Sequence, residues 1–256
     1  MLTDAKALLH RAVQGRYAIA AVNIRSAHEA IAALNAAQTL RAPLLLDVLP
    51  CNLPPCPAGF CAWLRELAQA ADVPVAISWE AETEDELRLA ADSGATDAAC
   101  NFSALPLACC AERTRLFVQQ AHALGLSATA ELPRGVTPEQ SAQFAARTGA
   151  DSLAVPLRTA DAEGRPCIDL TVLAAFRDAL PGMALVLHGV HGLPPQQLQA
   201  ACAQGVSRVS FSKDIQAAEL AALQGVGEGT VWERAEAGVR SALLRLLPLC
   251  GCQNRA

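Results

Sequence analysis

Positive charge is scarce in this 256-residue chain: 20 lysines and arginines face 25 aspartates and glutamates, for a formal net charge of −5. Nucleic-acid backbones need a basic face, so this balance excludes nucleic acid as the main partner. Long apolar runs are also missing. The longest fall far short of the roughly 20 residues that a membrane-spanning helix requires, and no membrane partner is expected. No Pro-, Gly- or Ser-rich linker, low-complexity tract or block of like charge divides the chain, so residues 1–256 are expected to form a single domain. No G-x-G-x-x-G follows the first apolar run, so a dinucleotide-binding fold has no support. The opening MLTDAKALLH places Asp4 and Lys6 where a signal peptide would be apolar. It reads instead as an amphipathic helix capped by Thr3 or Asp4, and a cytoplasmic location is expected.

Cysteine, by contrast, is plentiful, with ten residues. Nothing in the sequence directs export, so disulfides are not expected. Cys100, Cys109, Cys110, Cys167 and Cys202 lie among Ala, Leu and Ile, where a free thiol acts as a small apolar filler. Cys51, Cys56 and Cys61 in a Pro-rich stretch, and Cys250 with Cys252, match neither zinc-knuckle nor ferredoxin spacing.

Short apolar runs alternate with segments of helical period along the whole chain. Strands are predicted at 18–23, 43–48, 74–78, 97–101, 127–131, 151–156, 183–188 and 206–211, most of them apolar on both faces as parallel strands under helices are. Helices are predicted near 27–40, 58–71, 83–93, 107–124, 137–148, 170–180, 195–204 and 214–223. Gly94, Gly149 and Gly205 punctuate helix ends, and Thr83 with Glu86 and Thr137 with Gln140 have capping-box spacing. Eight strand–helix repeats with short connections point to a closed (β/α)8 TIM barrel with an extra C-terminal helix near 231–247; an open doubly wound sheet is the alternative.

In such a barrel the chemistry lies at the C-terminal strand ends. Strand seven runs into His188-Gly189-Val190-His191-Gly192, and strand eight into Ser212-Lys213-Asp214. Glycines there let backbone N–H groups approach an anion, and loops after strands seven and eight form the usual phosphate grip of the fold. Lys213 is one of only two lysines in the chain, which suits a compact phosphate contact or a solvated loop residue. His188 fits a metal ligand, an acid–base group or a histidine satisfied by backbone.

These segments resemble the class II, metal-dependent ketose-bisphosphate aldolases of the fructose- and tagatose-bisphosphate type. Leu185 to Pro194 resembles the family's L-V-L-H-G-G-S-G-I-P. Tyr17 to Asn23 resembles Y-A-V-P-A-F-N, Pro74 to Glu86 resembles P-V-A-L-H-L-D-H-G-x-x-x-E, and His122 to Leu132 resembles H-x-x-G-V-x-V-E-A-E-L. Val209 to Asp214 resembles I-N-V-N-T-D. The collinear set covers most of residues 2–216.

The resemblance implies aldol cleavage or condensation of a phosphorylated ketose, with a zinc ion on three histidines, an aspartate that moves the proton, and glycine loops that hold phosphate. Position by position it implies Glu80 as the proton-transfer acid and His188, Asp161 and Glu131 as metal ligands. Asn23, Gly189, His191, Gly192, Ser212, Lys213 and Asp214 fall on substrate and phosphate positions. Only His188 keeps a zinc histidine, because the first falls on Ala81 and the second on Asp161. An oxygen-rich set of this kind suits Mg2+ or Mn2+ better than zinc. The partners implied are a small phosphorylated substrate and further copies of the chain, as a dimer or tetramer. Three readings follow: a divergent lyase, a catalytically silent member that binds a ligand or partner subunit, and a metal-free enzyme using Lys213 as nucleophile.

Overall fold

The computed structural model describes residues 1–53, 57–224 and 228–256; Cys56 lies outside them. The barrel strands are β1 (Ile19–Ile24), β2 (Leu44–Val48), β3 (Val75–Glu80), β4 (Asp97–Cys100), β5 (Ser127–Glu131) and β6 (Ser152–Ala154). After a small hairpin of β7 (Arg158–Ala160) and β8 (Pro166–Ile168) come β9 (Ala184–Leu187) and β10 (Val206–Phe211). β1 to β6, β9 and β10 pair in parallel and close on themselves, β1 lying between β2 and β10. All eight predicted barrel strands are present, and the closed order settles the choice against an open sheet.

Helices alternate with the strands: α1 (Ala5–Gly15), α2 (Ala27–Thr39), α3 (Pro57–Ala70), α4 (Glu84–Asp92), α5 (Leu107–Ala123) and α6 (Pro138–Thr148). α7 (Leu170–Ala179), α8 (Pro195–Ala203), α9 (Lys213–Gln224) and the extra α10 (Val231–Leu246) complete the set. Their ends follow local chemistry. Asp4 caps α1 by accepting from the Lys6 N–H. Thr83 and Thr137 form reciprocal capping boxes with Glu86 and Gln140, satisfying amides that the first helical turn leaves without partners. Gly149 ends α6 at φ 71°, in the left-handed conformation that costs glycine nothing. α8 opens at Pro195, where its start was predicted.

The core is built from small residues. Ala18, Ala20, Ala21, Ala30, Ala33 and Ala37 are completely buried along β1 and α2, so helix and sheet approach closely without large side chains between them. α10 packs across α9 and α2. A Cβ built on Gly238 of α10 would lie 2.6 Å from the Ala222 Cβ and 2.8 Å from the Ala218 carbonyl oxygen, so these two helices touch backbone to backbone.

The β7–β8 hairpin was not predicted from sequence; it follows β6 where the pattern suggested only a loop. Each of its strands has three residues, and β7 is wholly exposed, so no alternation of buried and exposed positions marks it. Among the cysteines, Cys100, Cys110 and Cys202 are buried fillers as expected, whereas Cys109 is exposed and Cys167 half-buried. Cys109 lies on the solvent side of α5 because its helical neighbour Cys110 takes the inward position. The nine described cysteines are all free.

Candidate active site

Strand alternation turns every second side chain toward the barrel axis. On β10 this selects Arg208 and Ser210, with Ser212 just beyond; on β3 it selects Ser78 and Glu80; on β5, Thr129 and Glu131. These residues, with Asn23, Asp47, Asn101, His188 and Gly189, line a cavity of about 230 Å3 at the C-terminal strand ends. β3 runs two residues beyond its predicted end, and that extension carries Glu80 inward while Trp79 between the two turns outward and is buried.

Register sets the floor. Asp47 pairs with Ser78, Ser78 with Asp97, and Asp97 with Ser127 across neighbouring strands. Into this ring projects Arg208, only 2% exposed. Its Nη2 donates to Asp47 Oδ1 at 2.5 Å and its Nη1 to Asp97 Oδ2 at 3.3 Å. Ser78, Ser127 and Thr129 hydroxyls donate to Asp97 at 2.6, 2.8 and 3.0 Å, and Ser210 donates to Asp47 at 3.3 Å. A buried charge persists only when paired and hydrogen-bonded, and here one guanidinium is shared between two carboxylates. Burial raises the pKa of both aspartates, and the Arg208 charge pulls against that rise.

The wall above is acidic. Burial pushes the Glu80 carboxyl up, reinforced by the nearby charges of Glu82, Asp47 and Glu131. Burial likewise raises Glu131, with Arg134 opposing. His188 is exposed on the cavity wall, with protein atoms crowded around it. That enclosure, with the Arg208 charge, lowers its pKa and favours the neutral imidazole. A carboxyl with a raised pKa on the same cavity as a neutral imidazole is equipped to take up and return a proton.

Of the residues expected at the site, Asn23, Glu80, Glu131, His188, Gly189 and Ser212 do line the cavity. Asp161, His191, Gly192, Lys213 and Asp214 do not. Asp161 sits in the turn of the β7–β8 hairpin, where its carboxylate accepts from the Glu163 and Arg165 amides at 3.0 and 2.8 Å and from Arg165 Nε at 2.8 Å. Those bonds hold it there. His191 Nδ1 and Asp214 Oδ1 are 3.0 Å apart at the rim, and Lys213 is exposed at the first residue of α9. Gly189 and Gly192 adopt φ of 68° and 80°, the turn geometry anticipated for this loop.

The site's donors do not fit three-histidine zinc binding. Ala81 is buried and apolar, Asp161 is held in its hairpin, and no group of three His, Cys, Asp or Glu side chains able to hold a metal occurs among the described residues. The shared guanidinium on the barrel axis was missed by sequence reasoning. The inward period of Val206, Arg208, Ser210 and Ser212 is its only trace in the chain, and a charged residue inside an apolar strand is the signal that marks it. Arg134, on the loop after β5, was missed as well.

Residues 3–255 match the family model described as Fructose-bisphosphate aldolase class-II. Among solved structures, the chain is similar to the YdjI aldolase from Escherichia coli K12, with 26% identity, TM-score 0.91 and full coverage of both chains. A putative fructose-1,6-biphosphate aldolase from Coccidioides immitis shares the fold at 21% identity and TM-score 0.86, over 98% of this chain and 96% of that one. The fructose-bisphosphate aldolase of Campylobacter jejuni does so at 18% identity and TM-score 0.85, over 100% and 96%.

Proposed function

Because the chain belongs to the class II fructose-bisphosphate aldolase family, we propose that it is a carbon–carbon lyase acting on a phosphorylated ketose or similar anionic sugar, with Glu80 moving the proton. The observation that carries this reading is the convergence of Glu80, Glu131 and His188 on one cavity at the C-terminal strand ends. About 230 Å3 accommodates a fragment of a few carbon atoms, as the smaller product of an aldol cleavage would be. Glu80, its pKa raised by burial and by Glu131, takes a proton from the carbon next to the carbonyl in the condensation direction and returns it after cleavage. Neutral His188 offers a hydrogen bond to a hydroxyl or carbonyl oxygen without adding charge. Asn23 and Ser212 supply neutral hydrogen-bonding groups around the same space.

The family generally depends on zinc, but this donor set does not fit it. That misfit favours a second reading, a catalytically silent member that binds a sugar phosphate. The Lys213 nucleophile has no such support, since its side chain is exposed and outside the cavity wall.

Incubation with dihydroxyacetone phosphate in D2O, followed by proton NMR, separates the first two. The lyase reading expects exchange of the carbon-bound proton, lowered about 10²-fold or more in Glu80→Gln, the range of a lost acid–base group. Binding without exchange, with or without added Zn2+, Mg2+ or Mn2+, establishes the silent reading instead.

A further inference from the structure

The deep cavity is poorly suited to an anion. Asp47, Glu80 and Glu131 contribute carboxyls, and the one cation, Arg208, is engaged by Asp47 and Asp97. Of the expected substrate and phosphate positions only Asn23, Gly189 and Ser212 reach it, and none of them carries a charge; Lys213 lies outside. Beyond Glu131 and His188, however, the cavity continues into an outer groove of about 370 Å3, with which it shares Glu131, Ala154, His188 and Gly189. Arg134, from the loop after β5, and Arg158, the first residue of β7, line that groove.

Both guanidiniums are exposed, and neither has a carboxylate within ion-pair distance among the described residues. Arg158 lies over the glycine turn: a Cβ built on Gly189 would stand 3.4 Å from its Nη1. Among the described residues its guanidinium makes one hydrogen bond, from Nη2 to the His191 carbonyl, and that is long at 3.4 Å. Two guanidiniums against the single carboxyl of Glu131 give the groove a net positive wall, and planar five-donor forks match a phosphoryl group.

We propose that Arg134 and Arg158 form an anion clamp in this outer groove and that it receives the phosphoryl group of the substrate, whose reacting carbons then reach Glu80. The clamp stands on geometry alone; only the identity of its ligand as a substrate rests on the lyase reading. The anion is thus held by cations on the β5 and β6 side of the mouth instead of by Lys213 at the start of α9. Both side chains are exposed, so their removal leaves the fold intact.

The test is calorimetric titration of the full chain with inorganic phosphate, and with malonate as a carboxylate probe. Arg134→Ala and Arg158→Ala are each expected to weaken phosphate binding about tenfold, the loss of one charge-assisted contact. The double variant is expected to abolish it and Lys213→Ala to leave it unchanged. The clamp is overturned by undiminished phosphate binding in the double variant, by loss confined to Lys213→Ala, or by a wild-type protein that takes up malonate but no phosphate or neither. Titration needs no turnover, so the two proposals fail separately. Phosphate binding without proton exchange removes the lyase and keeps the clamp, whereas exchange in the double variant with unchanged KM removes the clamp and keeps the lyase.

Discussion

Replacing Arg208 by methionine tests whether the barrel floor is an electrostatic assembly or merely filled space. Methionine keeps much of the unbranched stem but removes the guanidinium from between Asp47 and Asp97, both of which are almost wholly buried. Breaking a buried ion pair by removing one partner costs about 3–5 kcal/mol. At roughly 2–4 °C per kcal/mol for a chain of this size, the midpoint should fall by about 10 °C near neutral pH. The deficit should also depend on pH. Both aspartates already have raised pKa values in the folded state, from burial that Arg208 only partly offsets. A carboxyl with a raised folded pKa contributes its full stability below the ordinary carboxylate range and loses it as pH rises through the folded value. Without Arg208 those values climb further, so the loss extends to higher pH, and Arg208→Met should be most harmful at pH 8 and least at pH 5. Urea and thermal unfolding at both values measure this. A loss below about 1 kcal/mol, or one that is the same at pH 5 and pH 8, would refute the charge-network account. Adding Asp47→Asn and Asp97→Asn to Arg208→Met should recover part of the loss, since the whole ionic assembly is then replaced rather than broken.

Three further outcomes follow from the same structure. His188, followed by NMR, should titrate below the ordinary imidazole range because of its enclosure and the Arg208 charge, and a midpoint at or above that range would contradict the cavity electrostatics. Gly238→Ala should destabilise by about 1–3 kcal/mol as an overpacked contact, because its Cβ meets Ala222 and the Ala218 carbonyl; a stability gain in denaturant unfolding would show that α9 and α10 slide apart freely. Thr137→Ala should cost about 1 kcal/mol by removing the α6 capping box, with no change in binding of inorganic phosphate.

The sequence alone determined the architecture. Eight apolar runs, glycine stops and Thr–x–x–Glu or Gln caps are local signals, legible because a buried parallel strand and a capped helix each leave their mark within a few residues. Collinear motifs also determined the family, and six of the eleven expected site residues line the cavity because strand ends map directly onto the barrel mouth. Tertiary structure alone decided which charges meet. Asp161 aligned with a zinc histidine, yet its own hairpin, formed with Arg165, takes up its carboxylate. Arg208 lies 161 and 111 positions from its two aspartates, and only closure of the barrel, with its register, brings all three to one axis. The placement of Arg134 and Arg158 on one groove depends in the same way on two loops meeting in space. Local periodicity specifies elements; the distances between charges belong to the assembled barrel.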